Sequence, residues 1–161
     1  MGISPNTVLG AIRAEAATVP APAPPARIQD LEVDEFWSFV GTKAEQRWTW
    51  YGFDRQCRQI VALVNGRRTD GNCRRLYEQL QGCRITHWHT DDWQSYGKVL
   101  PPRRHQVSKA GTRHIERQNL NFRTHVKRLH RRTICFSKST EMHDAVLRLY
   151  AQHANSQQHQ I

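Results

Sequence analysis

Between Ile28 and Gly66 the chain writes three strand patterns in succession, and a helix and a fourth strand follow. That order constrains the fold more than any other feature. RIQDLEVDEFWSFVG alternates well enough for a first strand ending at Gly41. KAEQRWTWYGFDRQ carries Trp48, Trp50 and Phe53 and reads as a second, and RQIVALVNGR is a third, with a turn expected at Asn65-Gly66. Three strands in a row predict an antiparallel meander. Asp70 to Leu80 reads as a helix, with Asp70 as its N-cap and Cys73, Leu76, Tyr77 and Leu80 on one face. After Gly82, RITHWHTDDW is a fourth strand, and a strand–helix–strand unit implies a parallel pairing. Gln106-Val107-Ser108 belongs to a short fifth strand. A long helix is expected from about Thr112 to Arg132, and a last one from Ser139 or Thr140 carrying Met142, Val146, Leu149 and Tyr150. The fold class is therefore α/β: a mixed sheet flanked by helices.

Ahead of this unit stands a different kind of sequence. MGISPNTVLGAIRAEA reads as one short helix, capped by Ser4 or Asn6, with Val8, Leu9, Ile12 and Ala16 on an apolar side. It is similar to the recognition helix of a helix-turn-helix; the plainer alternative is a neutral amphipathic leader. VPAPAPPAR, residues 19–27, places four Pro within six residues and reads as a stiff extended linker. The expected organisation is a helix over 1–18, the linker over 19–27, one α/β domain over 28–154 and a disordered tail over 155–161.

Charge points to the partner. From Arg103 to Arg132 there are ten Lys or Arg and a single acid, Glu116, so most of the formal +10 of the protein lies in one segment. Basic charge so focused favours nucleic acid. No long apolar run or signal peptide supports a membrane partner. Cys57, Cys73, Cys83 and Cys135 form no C-x-x-C, which argues for reduced, packed thiols and against a zinc site.

Three acids stand out by context: Asp34 in the first strand, Asp91 at the end of the fourth, and Glu116 near the start of the long helix. If strands one and four are neighbours, Asp34 and Asp91 face each other, and a helix alongside brings in Glu116. Three carboxylates from separate elements suit two hard divalent cations, which together clamp an in-line phosphoryl transfer. Helical phase places Glu116, Asn119, Arg123 and Lys127 on one stripe and Ile115, Phe122, Val126 and Leu129 on another, which would bury against the sheet. Leu120 falls with the first stripe and does not fit it. Rivals remain at this level: Asp30, Glu32 and Glu35 for Asp34, and Asp92 for Asp91. Glu116 could instead pair with Lys109, Arg113 or Arg117.

VDEFWSFVGTKAEQRWTWYGFDR, THWHTDDWQSY and GTRHIERQNLNFRTHVKRLHRRTICFSKSTEMHD resemble the transposases of the insertion sequence one family, over roughly Leu31 to Tyr150. The resemblance implies a ribonuclease-H-like fold, whose element order matches the one read here. It also implies a DDE triad on Asp34, Asp91 and Glu116 holding two Mg²⁺ (or Mn²⁺) ions, with Asn119 and Arg123 meeting DNA near them. Lys109, Arg113, Lys127, Arg128, Arg131, Arg132 and Lys138 are the further DNA contacts expected. The implied partners are the element's ends and target DNA, in a homo-oligomeric synaptic complex without a membrane. The implied location is the bacterial cytoplasm, on the nucleoid through DNA. Members of that family join an upstream frame, carrying a zinc finger and a helix-turn-helix, to the catalytic frame. On this resemblance the chain starts inside that helix-turn-helix. Two other functions fit the residues: a non-catalytic, DNA-binding relic that regulates transposition, and a stand-alone nuclease or resolvase of the same fold.

Smaller expectations complete the reading. His87 and His89 share one strand face and are expected to be structural. Of the five Trp, most belong to the core, with Trp93 the best candidate for stacking on a base. Arg67 and Arg68 are either solvated charge or phosphate contacts. Ser137-Lys138-Ser139 is a loop suited to a backbone phosphate.

Overall fold

The computed structural model describes residues 2–130, 132 and 134–158. Its centre is a five-stranded sheet in the order β3-β2-β1-β4-β5: β1 Arg27–Val40, β2 Thr42–Asp54, β3 Gln59–Gly66, β4 Arg84–Thr90 and β5 His105–Val107. The first three strands are the antiparallel meander expected from their alternation. The parallel pairing falls between β1 and β4, Glu32 beside His89, so the helical crossover from β3 passes over two strands before β4 joins the sheet. β5 continues parallel on the far edge.

Helices cover both faces. α2 (Asp70–Gln79) and α3 (Gln94–Val99) close one side, where Leu31, Val33, Trp50 and Val64 meet Cys73, Leu76, Leu80 and Tyr96. α4 (Arg113–His125) and α5 (Thr140–Gln158) close the other, where Phe36, Tyr51, Phe53 and Ile60 meet Ile115, Phe122, Leu147 and Ala151. β1 lies in the middle of this sandwich, which is why its burial runs nearly unbroken along the strand. Edge strand β3 is closed by side-chain amides. Asn155 exchanges two hydrogen bonds with the backbone of Ile60, and Gln79 does the same at Leu63. Both occupy edge groups that another strand would otherwise use.

Several expectations need correction. Asn65-Gly66 is not a turn: the strand runs through it, Asn65 opposite Thr49 and Gly66 opposite Trp48. Gly is required at 66 by packing, since a Cβ there would lie 2.3 Å from Asn72 Nδ2. The hairpin bends instead at 55–58, where Arg58 takes φ 55° and Asp54 Oδ1 accepts from the N–H groups of Gln56 and Cys57. Thr69, not Asp70, caps α2. α3 is not among the expected elements; Gly97 and its six-residue length hide it from periodicity.

The long helix expected to Arg132 stops at His125, because Val126 takes an extended conformation (φ −98°, ψ 93°) that buries its side chain. A single 3₁₀ turn, Lys127–Leu129, follows. Thirteen residues give a helix of about 20 Å, shorter than the basic rod expected. The buried stripe holds nonetheless: Ile115, Phe122, Val126 and Leu129 are all buried, and Leu120 is exposed. α5 begins at Thr140 with Ser139 Oγ accepting from Met142 N–H. It extends to Gln158, so 155–158 are helical and not a disordered tail, while 159–161 lie outside the described residues.

α1 (Pro5–Thr18) is docked and does not stand free. Ala16 and Val19 are buried, Arg13 pairs with Glu141 at 3.4 Å, and Arg148 donates to the Ala16 carbonyl. The segment after it lies on the domain, where Arg84 N–H donates to Ala26 O. Among the described residues no helix is long and apolar enough to cross a membrane.

Candidate active site

Four acids alternate along β1, and what each of them touches sets Asp34 apart. Asp30 accepts from His89 Nε2 at 2.7 Å and lies 3.7 Å from Arg55. Glu32, fully buried, accepts from Arg55 Nε at 2.9 Å, His114 Nδ1 at 2.7 Å and the backbone N–H of Ile115 at 2.8 Å. Glu35 points to the opposite face, where it pairs with Arg68 at 2.6 Å and accepts from the Tyr96 hydroxyl. Asp34 has no basic partner among the described residues. Its Oδ1 accepts from Glu35 N–H at 2.8 Å and its Oδ2 from Asn119 Nδ2 at 2.6 Å. Burial, then the neighbouring Glu35 charge, then Asp91, push its pKa up to about 7 against the pull of those two hydrogen bonds. Of the four acids, three are engaged by basic groups of the protein, and Asp34 is left short of positive charge among the described residues.

Asp91 follows directly on β4. Continuing the parallel register by two residues from Glu32 and His89 brings it beside Asp34, one strand spacing of about 4.8 Å away in backbone terms. Its carboxylate accepts from Trp93 N–H at 3.0 Å and is exposed, and its charge raises the pKa of both Asp34 and Glu35. Asp92 is exposed too and has no such coupling. The pair sits where β4 ends and β1 runs on, at the carboxyl end of the parallel strands, a usual place for sites in sheets of this kind.

α4 brings the third element. Asn119 reaches Asp34, and its own Oδ1 accepts from the Tyr51 hydroxyl at 2.8 Å. That contact orients the amide so that its NH₂ faces the carboxylate. Tyr51 is buried, and its pKa lies well above the ordinary phenol value because of burial and then the charges of Asp34 and Glu32. Sequence reading gave Tyr51 no role; its position opposite Asp34 in the β1–β2 register is the signal that would have found it. Glu116 lies one turn before Asn119 on the same stripe. Its Oε1 accepts from Thr112 Oγ1 at 3.1 Å, and among the described residues it makes no ion pair with Lys109, Arg113 or Arg117. Asp34 and Asp91 are therefore brought together, and Glu116 stands nearby with its carboxylate turned onto its own helix. Among the described residues no three His, Cys, Asp or Glu side chains are grouped closely enough to hold a metal ion as they stand.

The candidate DNA contacts divide. Lys109, Arg113, Lys127, Arg132 and Lys138 are exposed. Arg123 is half-buried, with Nη2 directed at the Trp37 carbonyl (3.4 Å) and its guanidinium 5.7 Å from the Phe36 ring. Arg128 is half-buried, and burial lowers its pKa. It lines a cleft with Arg13, Phe136 and Lys138. Arg131 lies outside the described residues. Asn119 is spent on Asp34. In the Ser137-Lys138-Ser139 loop the two serines are structural: Ser137 bonds His143 Nδ1 and Ser139 caps α5, which leaves Lys138 for solvent.

His89 and His87 are structural as expected, held by Asp30 and Gln106. Trp93 is not free for a base: its ring lies 4.9 Å from that of Trp50 and 5.7 Å from that of Tyr96. Arg68 is exposed, yet its guanidinium lies over the rings of Trp48 and Trp93 and pairs with Glu35.

The family model described as IS1 transposase matches residues 28–157. The chain is 47% identical over 116 residues to the insertion element iso-IS1n protein InsB of Shigella dysenteriae, covering 72% of this chain and 88% of that protein. It is 44% identical over 119 residues to the insertion element IS1 protein InsB of Shigella flexneri, covering 74% and 91%. It is equally identical to the IS1 4 protein InsB of Escherichia coli (strain K12), covering 74% and 71%. In three dimensions it is similar to a chain in the structure of the simian T-cell lymphotropic virus intasome in complex with PP2A regulatory subunit B56 gamma. There the TM-score is 0.51 at 12% identity, over 90% of this chain and 60% of that one, a likeness of fold.

Proposed function

The chain belongs to the IS1 transposase family, and from that premise we propose that it is a DNA transposase that cleaves at insertion-sequence ends and joins them to target DNA. The observation that carries the reading is Asp34, a carboxylate in a packed sheet, beside Asp91, with no basic partner among the described residues. Carboxylate oxygens short of positive charge suit hard divalent ions. Asp34 and Asp91 would hold Mg²⁺ or Mn²⁺, with Glu116 joining them by turning its side chain away from Thr112. Bound there, two such ions supply Lewis acidity toward a phosphodiester and lower the pKa of an attacking water or 3′ hydroxyl.

The protein's own groups do the placing. Asn119, held by Tyr51, fixes the rotamer of Asp34. Glu32 ties the N-terminal turn of α4 to β1 through Ile115 N–H, which sets the helix that carries Glu116. Lys109 and Arg113 at one end of α4, and Lys127, Arg128, Arg132 and Lys138 beyond the other, would contact DNA phosphates without reading sequence. DNA in a homo-oligomeric synaptic complex is the partner we assign.

In the test, Asp34→Asn, Asp91→Asn and Glu116→Gln are assayed for Mg²⁺-dependent nicking and strand transfer on DNA carrying element ends. All three should lose both activities while retaining DNA binding, and unchanged cleavage by any of them would overturn the assignment. One observation favours a second reading, a non-catalytic DNA-binding regulator: the Glu116 carboxylate is bonded to Thr112 and not gathered with the other two. DNA binding with no Mg²⁺-dependent nicking by the unmodified chain would support that alternative.

A further inference from the structure

We propose that Arg68 is a positioning residue that sets the spacing of Asp34 and Asp91, by bridging the strand that carries the first to the loop that carries the second. The inference rests on the reading of those two carboxylates as ion ligands.

Arg68 reaches both sides from the segment between β3 and α2. Its Nε and Nη2 lie 2.8 and 2.6 Å from Glu35 Oε1, and Glu35 is the residue whose backbone N–H bonds Asp34 Oδ1. Its guanidinium carbon lies 4.7 Å from the Trp48 ring centroid and 4.6 Å from that of Trp93, so the cation is stacked between two indoles. Trp93 in turn donates its N–H to Asp91 Oδ1 and precedes α3, whose Tyr96 bonds the other oxygen of Glu35. A closed circuit results: β1 through Glu35, Arg68, the Trp93 ring, and the loop back to Asp91. Its Glu35 and Arg68 side lies on the face of the sheet opposite Asp34.

A buried carboxylate is not the cheapest way to fill that face, since an apolar pair of similar volume usually packs as well. What the charged version adds is direction. The planar guanidinium holds a fixed carboxylate and a fixed ring at once, which a lysine cannot do. Two carboxylates that share ions must keep their separation closely, and groups behind the ligands commonly enforce it.

The experiment uses the whole chain and Mn²⁺ alone, with free Mn²⁺ counted by its electron paramagnetic resonance signal and melting followed in parallel. Arg68→Lys keeps a cation for Glu35 but loses the double stack. The paired variant Arg68→Met with Glu35→Leu removes the buried carboxylate together with its partly exposed cation, so that no lone carboxylate is stranded. Both are expected to melt near the unmodified protein yet bind Mn²⁺ about 10-fold or more weakly. Wild-type Mn²⁺ affinity in either folded variant, with Asp34→Asn abolishing binding, would show Arg68 to be structural only and sink the inference. Wild-type affinity in Asp34→Asn and Asp91→Asn would instead sink the ion-site reading, and the inference with it.

Discussion

Replacing Glu32 with Ala should unfasten α4 from the sheet. Glu32 is fully buried, and its carboxylate ties β1 to two other segments through three donors: Arg55 from the β2–β3 turn, and His114 and the backbone N–H of Ile115 in the first turn of α4. Arg55 also donates to Gly111 O, so the same cation secures the turn that leads into α4. Removing the carboxylate strands a half-buried guanidinium and a helix N–H at once. Breaking a buried pair from one side costs about 3–5 kcal/mol, and an unsatisfied buried N–H adds about 1–3 kcal/mol, less whatever water recovers. A net loss of about 4 kcal/mol is a large share of the roughly 5–15 kcal/mol that holds an ordinary domain, and it lowers the melting temperature by roughly 10 °C for a chain of this size. Urea unfolding by circular dichroism gives the free energy, and amide hydrogen exchange shows where it is lost. The N-terminal turn of α4 should exchange first, before β1. A loss under about 1 kcal/mol, or exchange spread evenly over the sheet, would refute the view that this carboxylate anchors the helix.

Three further outcomes follow from the same structure. His143 is buried between Ser38 and Ser137, and burial lowers its pKa from 6.5 to about 4. The unfolded chain therefore binds the proton first, so stability is full above about pH 6.5 and falls by about 3 kcal/mol as pH drops toward 4; His143→Gln should flatten that decline in urea titrations run from pH 7 to 4. At Gly111 an added Cβ would meet His89 Nδ1 and Ser108 Oγ at 2.9 Å. Gly111→Ala should cost about 1–3 kcal/mol in chemical denaturation, and a neutral result would mean the turn before α4 is slack. Finally, Lys127→Gln and Lys138→Gln, both at exposed positions, should each weaken DNA binding alike on all sequences and reduce the slope of log affinity against log salt by about 1, as fluorescence anisotropy across a salt series would show.

Much of the site was legible in one dimension because its carriers are local patterns. Alternation placed β1 and β4, helical phase placed Glu116 and Asn119 on one stripe of α4, and those phases survive folding because they depend on backbone geometry alone. The faults came where a local preference met a distant contact. Asn65-Gly66 has turn chemistry, but Thr49 bonds the Asn65 side chain across the sheet and Asn72 fills the space above Gly66, so the strand continues. Val126 ends α4 early because burial beside Leu129 outweighs another helical turn. The packing of Trp93 on Trp50 and the pairing of exposed Arg68 with Glu35 escape local reading because those partners lie tens of residues away in the chain.

Sequence alone determined much of the architecture and suggested the type of chemistry: the order of strands and helices, the concentration of basic charge after Arg103, and carboxylates on three separate elements. Tertiary structure alone shows what each acid of β1 touches. Asp30, Glu32, Asp34 and Glu35 are chemically equivalent as letters, and each can ionise, accept hydrogen bonds and bind a cation. They differ only in their neighbours, His89 and Arg55 for the first, Arg55 and α4 for the second, Arg68 and Tyr96 for the last. Asp34 is left facing Asn119 and Asp91 with a proton affinity raised by burial. The reason is physical. A carboxylate's role is set by the charge and solvent around it, and those come from residues up to 85 positions distant that only the folded chain brings near.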